Sequence, residues 1–148
     1  VLSVAIQAGM NVFDLEQVEL CYAPQFGSAK DPVNMLGFVA SGLLRGDHPQ
    51  LSWDVYLKDH QDAFLLDVRT PQEFEQGHIP GATLIPLNTL RDRLNEIPRN
   101  RPVVVYCKVG QRGYLATRIL MQSGFNVRNL SGGYLSWTMF QNAKDQQP

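Results

Sequence analysis

Cys107 closes an apolar run and opens a short glycine-bearing segment, Cys107-Lys108-Val109-Gly110-Gln111-Arg112-Gly113, which leads into a helical pattern. The run before it, Pro102-Val103-Val104-Val105-Tyr106, is continuously apolar and β-branched, as a strand covered on both faces is. In open α/β sheets, ligands bind beyond the carboxyl ends of strands, and Cys107 stands at such an end. A glycine-bearing loop can turn successive backbone N–H groups inward and form an anion nest. The helix that follows adds about half a positive charge at its N-terminus. Lys108 and Arg112 bring full charges. Together these groups favour thiolate over thiol at Cys107 and form a cradle for an anionic substrate, the chemistry of a cysteine nucleophile. The plain alternative is a core cysteine finishing a strand, and it leaves the glycines, the two cations and the helix start unexplained.

The elements that must position this segment alternate. Leu51-Ser52-Trp53 predicts a short strand, with a helix from about Asp54. Ala63 to Val68 predicts a buried strand. Thr70-Pro71-Gln72-Glu73 predicts a helix start, with Thr70 as N-cap, Pro71 first in the helix and Glu73 closing a capping box. Thr83 to Leu87 predicts a strand, Leu90 to Ile97 a helix, and Gly113 to Gln122 a helix ended by Gly124. Asn126 to Leu130 is the last strand, followed by Gly132-Gly133 and a helix through Trp137 and Phe140. This alternation predicts an α/β fold around a largely parallel five-stranded sheet flanked by helices.

Residues 1–49 read differently. They hold two basic against five acidic side chains, whereas the rest of the chain holds eleven against nine. The break falls at the turn-rich Gly46-Asp47-His48-Pro49, so 1–49 and 50–148 are taken as separate parts. The first is mainly helical: an apolar run from Val1 to Ala8, a helix capped by Asp14, a break over Tyr22 to Gly27, and a helix capped by Asp31 with Pro32 in its first turn. Its apolar faces need a partner. Val1 in place of Met marks the N-terminus as a cut or processed end.

Composition bounds the function. The 148 residues carry a net charge of -1 at pH 7, 44% hydrophobic and 18% charged side chains. That is globular composition without the basic field that nucleic acid or a membrane surface calls for. No apolar run approaches the ~20 residues of a membrane span. Two cysteines, Cys21 and Cys107, make neither a disulfide framework nor a four-ligand metal site. With no signal peptide visible, cytoplasmic location is the expectation. Asn129-Leu130-Ser131 matches a glycosylation acceptor that such a chain leaves unused.

Four stretches together resemble a rhodanese domain, a sulfurtransferase fold. They are the Cys107–Arg112 loop, Leu66-Asp67-Val68-Arg69-Thr70-Pro71-Gln72-Glu73-Phe74, Gly77-His78-Ile79-Pro80-Gly81-Ala82, and Leu130-Ser131-Gly132-Gly133-Tyr134-Leu135-Ser136-Trp137. The resemblance covers about residues 50–142. Within residues 1–45, Ala8-Gly9-Met10-Asn11-Val12-Phe13-Asp14-Leu15 and Tyr22 to Met35 resemble the end of the dimerisation domain of flavin-dependent disulfide reductases. The likeness is closest to those acting on coenzyme A disulfides or persulfides, some of which carry a C-terminal rhodanese domain. The chain then reads as the tail of such a fusion. FAD, NAD(P)H and coenzyme A are expected only for the whole fusion, since no G-x-G-x-x-G is present here.

The resemblance implies a sulfur relay. Cys107 takes sulfane sulfur from thiosulfate or a small persulfide and passes it to a thiol or cyanide. The amides from Lys108 to Gly113 (Lys108, Val109, Gly110, Gln111, Arg112, Gly113) surround the sulfur, with no metal and no separate base. Asp67 and Arg69 are assigned to holding the loop by charge-assisted hydrogen bonds. Glu73 is assigned to the capping box and His78 to a structural turn. Cys21 is expected to be a buried small hydrophobe, Trp53 and Trp137 to be packing residues, and Tyr22 to sit near a partner subunit's coenzyme A site in the resembled reductases. The expected partners are a small anionic donor, a thiol acceptor and a second subunit through the N-terminal segment. Two rivals stand beside this reading. One is a cysteine phosphatase of related fold, whose cysteine and arginine are separated by five residues rather than the four here. The other is a non-catalytic docking or regulatory domain of a flavin disulfide reductase.

Overall fold

The computed structural model describes residues 1–21, 23, 25, 26 and 31–145. The expectations placed on Tyr22, Pro24 and Gly27 lie outside the described residues. The chain divides into two units, Val1–His48 and Pro49–Pro148.

The first unit holds three helices, α1 (Leu2–Gln7), α2 (Val12–Gln17) and α3 (Pro32–Arg45). The N-cap of α2 is Asn11 rather than Asp14. The Asn11 side chain accepts from Phe13 and Asp14 N–H, and Asp14, three residues into the helix, accepts from the Asn11 N–H. Asn wins because its side chain reaches the N2 and N3 amides while Asp14 closes the reciprocal bond. α3 starts as expected, on Asp31 and Pro32, and stops at Gly46 in the left-handed conformation (φ 74°). α2 and α3 lie backbone to backbone at Gly37, where a Cβ would strike Leu15 and Glu16. Asn34 Nδ2 donates to the Leu15 and Val18 carbonyls, and Arg45 forks onto Glu16. Val4 and Ile6 of α1 and Leu36, Phe38, Val39, Leu43 and Leu44 of α3 remain exposed. Cys21 is also exposed, which corrects its expected burial: it lies in the irregular segment after α2.

The second unit is a five-stranded parallel sheet of β1 (Gln50–Leu51), β2 (Phe64–Asp67), β3 (Thr83–Leu84), β4 (Val103–Tyr106) and β5 (Val127–Leu130). Its order is β1-β5-β4-β2-β3. Its helices are α4 (Trp53–Asp59), α5 (Pro71–Glu75), α6 (Gln111–Gln122) and α7 (Gly133–Asp145), with a 3-10 stretch at Leu87–Glu96. Alternation along β4 sorts its side chains. Val103, Val105 and Cys107 face a core with Leu66, Val68 and Ile85 of the sheet side and Ala116, Ile119 and Leu120 of α6. Val104 and Tyr106 face the other core, with Leu51, Leu65, Tyr56, Tyr134, Trp53 and Trp137. Burial on both faces is why this strand has no polar positions. Several expected boundaries move. β1 is Gln50–Leu51, and Trp53, expected in that strand, opens α4 after the N-cap Ser52. β3 is two residues long, because the chain leaves the sheet before Pro86. The helix expected over Leu90 to Ile97 is the 3-10 stretch from Leu87. α6 begins at Gln111 rather than Gly113, which places Arg112 inside its first turn.

Candidate active site

Only three residues, Lys108 to Gly110, separate Cys107 at the end of β4 from the first residue of α6. Gly110 is the N-cap, with φ 133° and ψ -28°, a backbone conformation that side-chain-bearing residues rarely adopt. Its N–H points back onto Cys107, to which it donates at 3.1 Å from Sγ. No side chain caps α6, so its first amides are left for an incoming anion.

The other side of the loop is held by α7. Tyr134 N–H donates to the Cys107 carbonyl (2.8 Å) and Leu135 N–H to the Lys108 carbonyl (3.0 Å). A trans peptide directs its N–H opposite to its C=O. Anchoring these two carbonyls on α7 therefore turns the Lys108 and Val109 amides away from that helix. Gly133 is required for this approach, because a Cβ there would strike the Cys107 and Lys108 carbonyls. Beneath α6, buried Asn129 of β5 reaches the Gly110 carbonyl through Nδ2 (3.5 Å) and packs against Gly113, where a Cβ would collide with it. Cys107 is itself 1% exposed, so its sulfur lies under this loop rather than on it.

The charges are arranged less simply than their types suggest. Lys108 is exposed and forms no ion pair among the described residues. Arg112 is not a second free cation. Its Nη1 and Nη2 donate to Glu73 Oε2 (2.6 Å) and Oε1 (2.8 Å). Glu73 also completes the α5 capping box, accepting from the Thr70 N–H (3.0 Å). The Arg112 guanidinium, with burial opposing, brings the Glu73 carboxyl down to about 2. Glu73 in return, and the Cys107 thiol to a lesser degree, raises the Arg112 pKa. Gln111 and Val109 are exposed on the loop and its helix start.

Asp67 and Arg69 form a buried pair, but their hydrogen bonds do not reach the loop. Arg69 donates from Nε to both Asp67 oxygens and from Nη2 to Asp67 Oδ2 (2.7 Å) and the Gly77 carbonyl (2.8 Å). Its guanidinium lies 4.1 Å from the Tyr134 ring centroid. Burial opposes the Arg69 charge, and Asp67 and Tyr106 outweigh it, so its pKa is raised. Burial and a bond to Asp67 likewise push the Tyr106 hydroxyl up, while that hydroxyl accepts from Ile79 N–H. The pair thus fixes the Gly77–Ile79 turn and Tyr134. It reaches the Cys107 segment through Tyr106, the residue before Cys107, and through the α7 start rather than by hydrogen bonds to the loop itself, a correction to the direct hold expected of it. His78 stacks on Phe74 at 3.7 Å with Nδ1 3.1 Å from the Phe74 carbonyl, and so belongs to that turn.

Sequence reasoning missed the second bond of Glu73, the brace of Asn129 and the clamp of α7. The Gly132-Gly133 pair was the visible trace of the clamp. The Glu73–Arg112 contact, 39 residues apart, left no trace. Among the described residues no helix is long and apolar enough to cross a membrane, and no group of three His, Cys, Asp or Glu could hold a metal ion.

The family model for the rhodanese-like domain matches residues 54–140. A protein named sulfurtransferase from Allochromatium vinosum is 46% identical over 82 residues, covering 55% of this chain and 77% of that protein. The crystal structure of reduced Bacillus anthracis CoADR-RHD is similar with TM-score 0.82 and 43% identity, covering 90% of this chain and 24% of that one. An NAD-dependent persulfide reductase from A. fulgidus is similar with TM-score 0.77 and 38% identity, over 92% of this chain and 24% of that one. The chain therefore spans about a quarter of each solved structure.

Proposed function

The chain belongs to the rhodanese-like domain family, whose relatives include sulfurtransferases, and from that premise we propose that it carries sulfane sulfur as a persulfide on Cys107. The donor is thiosulfate or a small persulfide, and the acceptor a thiol or cyanide. The observation that carries the reading is the Gly110 N–H aimed at Cys107 Sγ, beside a helix start that no side chain caps.

In the first step the Cys107 thiolate attacks the outer sulfur of thiosulfate. A sulfur–sulfur bond forms on Cys107, the bond to the sulfonate breaks, and its electron pair leaves with sulfite. In the second step an acceptor thiolate takes the terminal sulfur and the Cys107 thiolate returns. No electron is gained or lost overall, so no redox cofactor is needed. Negative charge on the Cys107 thiolate is met by the Gly110 N–H and the α6 dipole, which are in place before reaction. The spacing of four residues between Cys107 and Arg112, one fewer than in the phosphatases, makes a smaller cradle and disfavours the phosphatase alternative.

The role of residues 1–49 is also a proposal. The two solved similar structures cover 90% and 92% of this chain, more than its second unit supplies. That supports reading the segment as the end of a reductase dimerisation domain, with its exposed apolar helix faces belonging against a second subunit or the parent reductase. FAD, NAD(P)H and coenzyme A would then be bound by the rest of such a protein.

The test is intact mass after mixing the chain with thiosulfate. A gain of about 32 Da, one sulfur removable by cyanide, is expected, abolished in Cys107→Ser and retained in Cys21→Ser. Sulfur loading that survives in Cys107→Ser would overturn the assignment.

A further inference from the structure

Glu73 is committed on two sides. Thr70 fixes it from below through its N–H (3.0 Å) and its Oγ1 (3.2 Å), and Arg112 takes both its oxygens. The carboxylate cannot swing away without opening the α5 cap. With its pKa at about 2, it stays ionised at every working pH. One N–H of each Arg112 Nη, the pair that would fork onto an incoming oxyanion, is thereby given to Glu73. Lys108, Arg112 and Glu73 then sum to one positive charge, which the Cys107 thiolate cancels. A dianion approaching the thiolate meets a site with no surplus charge, held only by amides and the α6 dipole.

We propose that Glu73 is a specificity-determining residue of the Cys107 site. By holding Arg112 it sets the charge the site accepts, favouring singly charged sulfur donors over dianions. This rests on the sulfurtransferase reading and names its substrate class.

Two donors isolate the effect. Thiosulfate is a dianion. Methanethiosulfonate presents the same sulfane sulfur, with a methyl group in place of one anionic oxygen, and releases methanesulfinate in place of sulfite. In both, Cys107 gains the outer sulfur and the S–S electron pair leaves with the oxidised sulfur. Glu73→Gln removes the charge while keeping an acceptor for the Thr70 N–H, because Gln also closes a capping box. It should raise the ratio of kcat/KM for thiosulfate to that for methanethiosulfonate about fivefold, the effect of one unit charge several ångströms away at partial screening. Thr70→Ala, which weakens the cap but leaves the Glu73 charge on Arg112, should lower thermal stability and leave the ratio in place. An unchanged ratio in Glu73→Gln, with both donors turned over, overturns the proposal and leaves Glu73 a structural residue. An equal shift in Thr70→Ala also overturns it. If Glu73→Gln does not fold, Glu73→Asp decides: its side chain is one methylene shorter, which draws the carboxylate back from Arg112 and frees the guanidinium for the donor, so the ratio must rise, and a constant ratio refutes the idea. A wild-type chain that takes sulfur from neither donor refutes the sulfurtransferase reading itself, an outcome distinct from wild-type turnover with an unmoved ratio.

Discussion

Arg69–Asp67 and Arg112–Glu73 are both forked arginine–carboxylate pairs within the second unit, yet they lie in different media. The side chains of the first are 3% and 0% exposed, and those of the second 32% and 25%. The buried pair is closed on itself and on groups that cannot leave: the Gly77 carbonyl, the Tyr106 hydroxyl and the Tyr134 ring. Removing either partner strands a charge in a core. The outer pair joins two helix starts, α5 and α6. Water screens it, so its contribution to stability is smaller, while its exposure leaves it within reach of an incoming ion. Two interactions of the same chemistry are thus divided by depth: one builds the support under α7, and the other adjusts the charge around the nucleophile.

The largest expected effect breaks the buried pair. Arg69→Ala should cost about 3–5 kcal/mol of unfolding free energy, because Asp67 is left charged and buried. Denaturant titration reads it. Replacing both partners, as in Asp67→Asn with Arg69→Met, should cost less than Arg69→Ala alone. If the double change is the more damaging, the pair itself, rather than the stranded charge, is what stabilises the core.

A smaller effect concerns acid. The folded pKa of Glu73, about 2, lies below its ordinary value of 4.5, so the stability it lends is fully present above about pH 4.5. It fades as pH falls toward 2. Glu73→Gln should flatten that part of the acid-unfolding curve by about 1 kcal/mol. Identical curves for the two proteins between these pH values would mean that Glu73 is equally well paired in the unfolded chain.

The smallest expected effect is none. Both pairs and the Cys107 loop lie after Pro49, so a chain beginning there should load sulfur as fully as the whole protein, read by the same mass gain. A folded truncation that does not load would show that residues 1–48 contribute to the site. The division of labour between the two pairs would then be incomplete.

Much of this molecule is written locally. The capping box at Thr70 and Glu73, the Asp31-Pro32 helix start and the two-sided apolar strand before Cys107 follow from spacing alone. Each rests on contacts within a few residues, or on a burial pattern that one segment displays by itself. The placing of Cys107 and its loop was legible for the same reason: strand, cysteine, glycine and helix start are contiguous, so the loop is a local object. The ends of elements were less so. α6 starts two residues before the expected Gly113, because the φ of Gly110, not the sequence pattern, decides where the helix begins.

Tertiary structure decided which charges act. From residue types, Lys108 and Arg112 are two cations beside a thiol, and Asp67 and Arg69 are neighbours that could face either way. Only the fold brings α5 against α6, so that Glu73 takes Arg112 out of that count. Only the parallel register of β2 and β4 sets Asp67 opposite Tyr106 and encloses its partner arginine. Likewise, only the return of the chain through β5 sets Asn129 under the loop and the α7 amides on its carbonyls. The strength of a charge depends on the medium and on what lies within a few ångströms. Those neighbours come from distant parts of the chain, so the sequence by itself determined where Cys107 and its loop stand, and the folded structure determined the field around them.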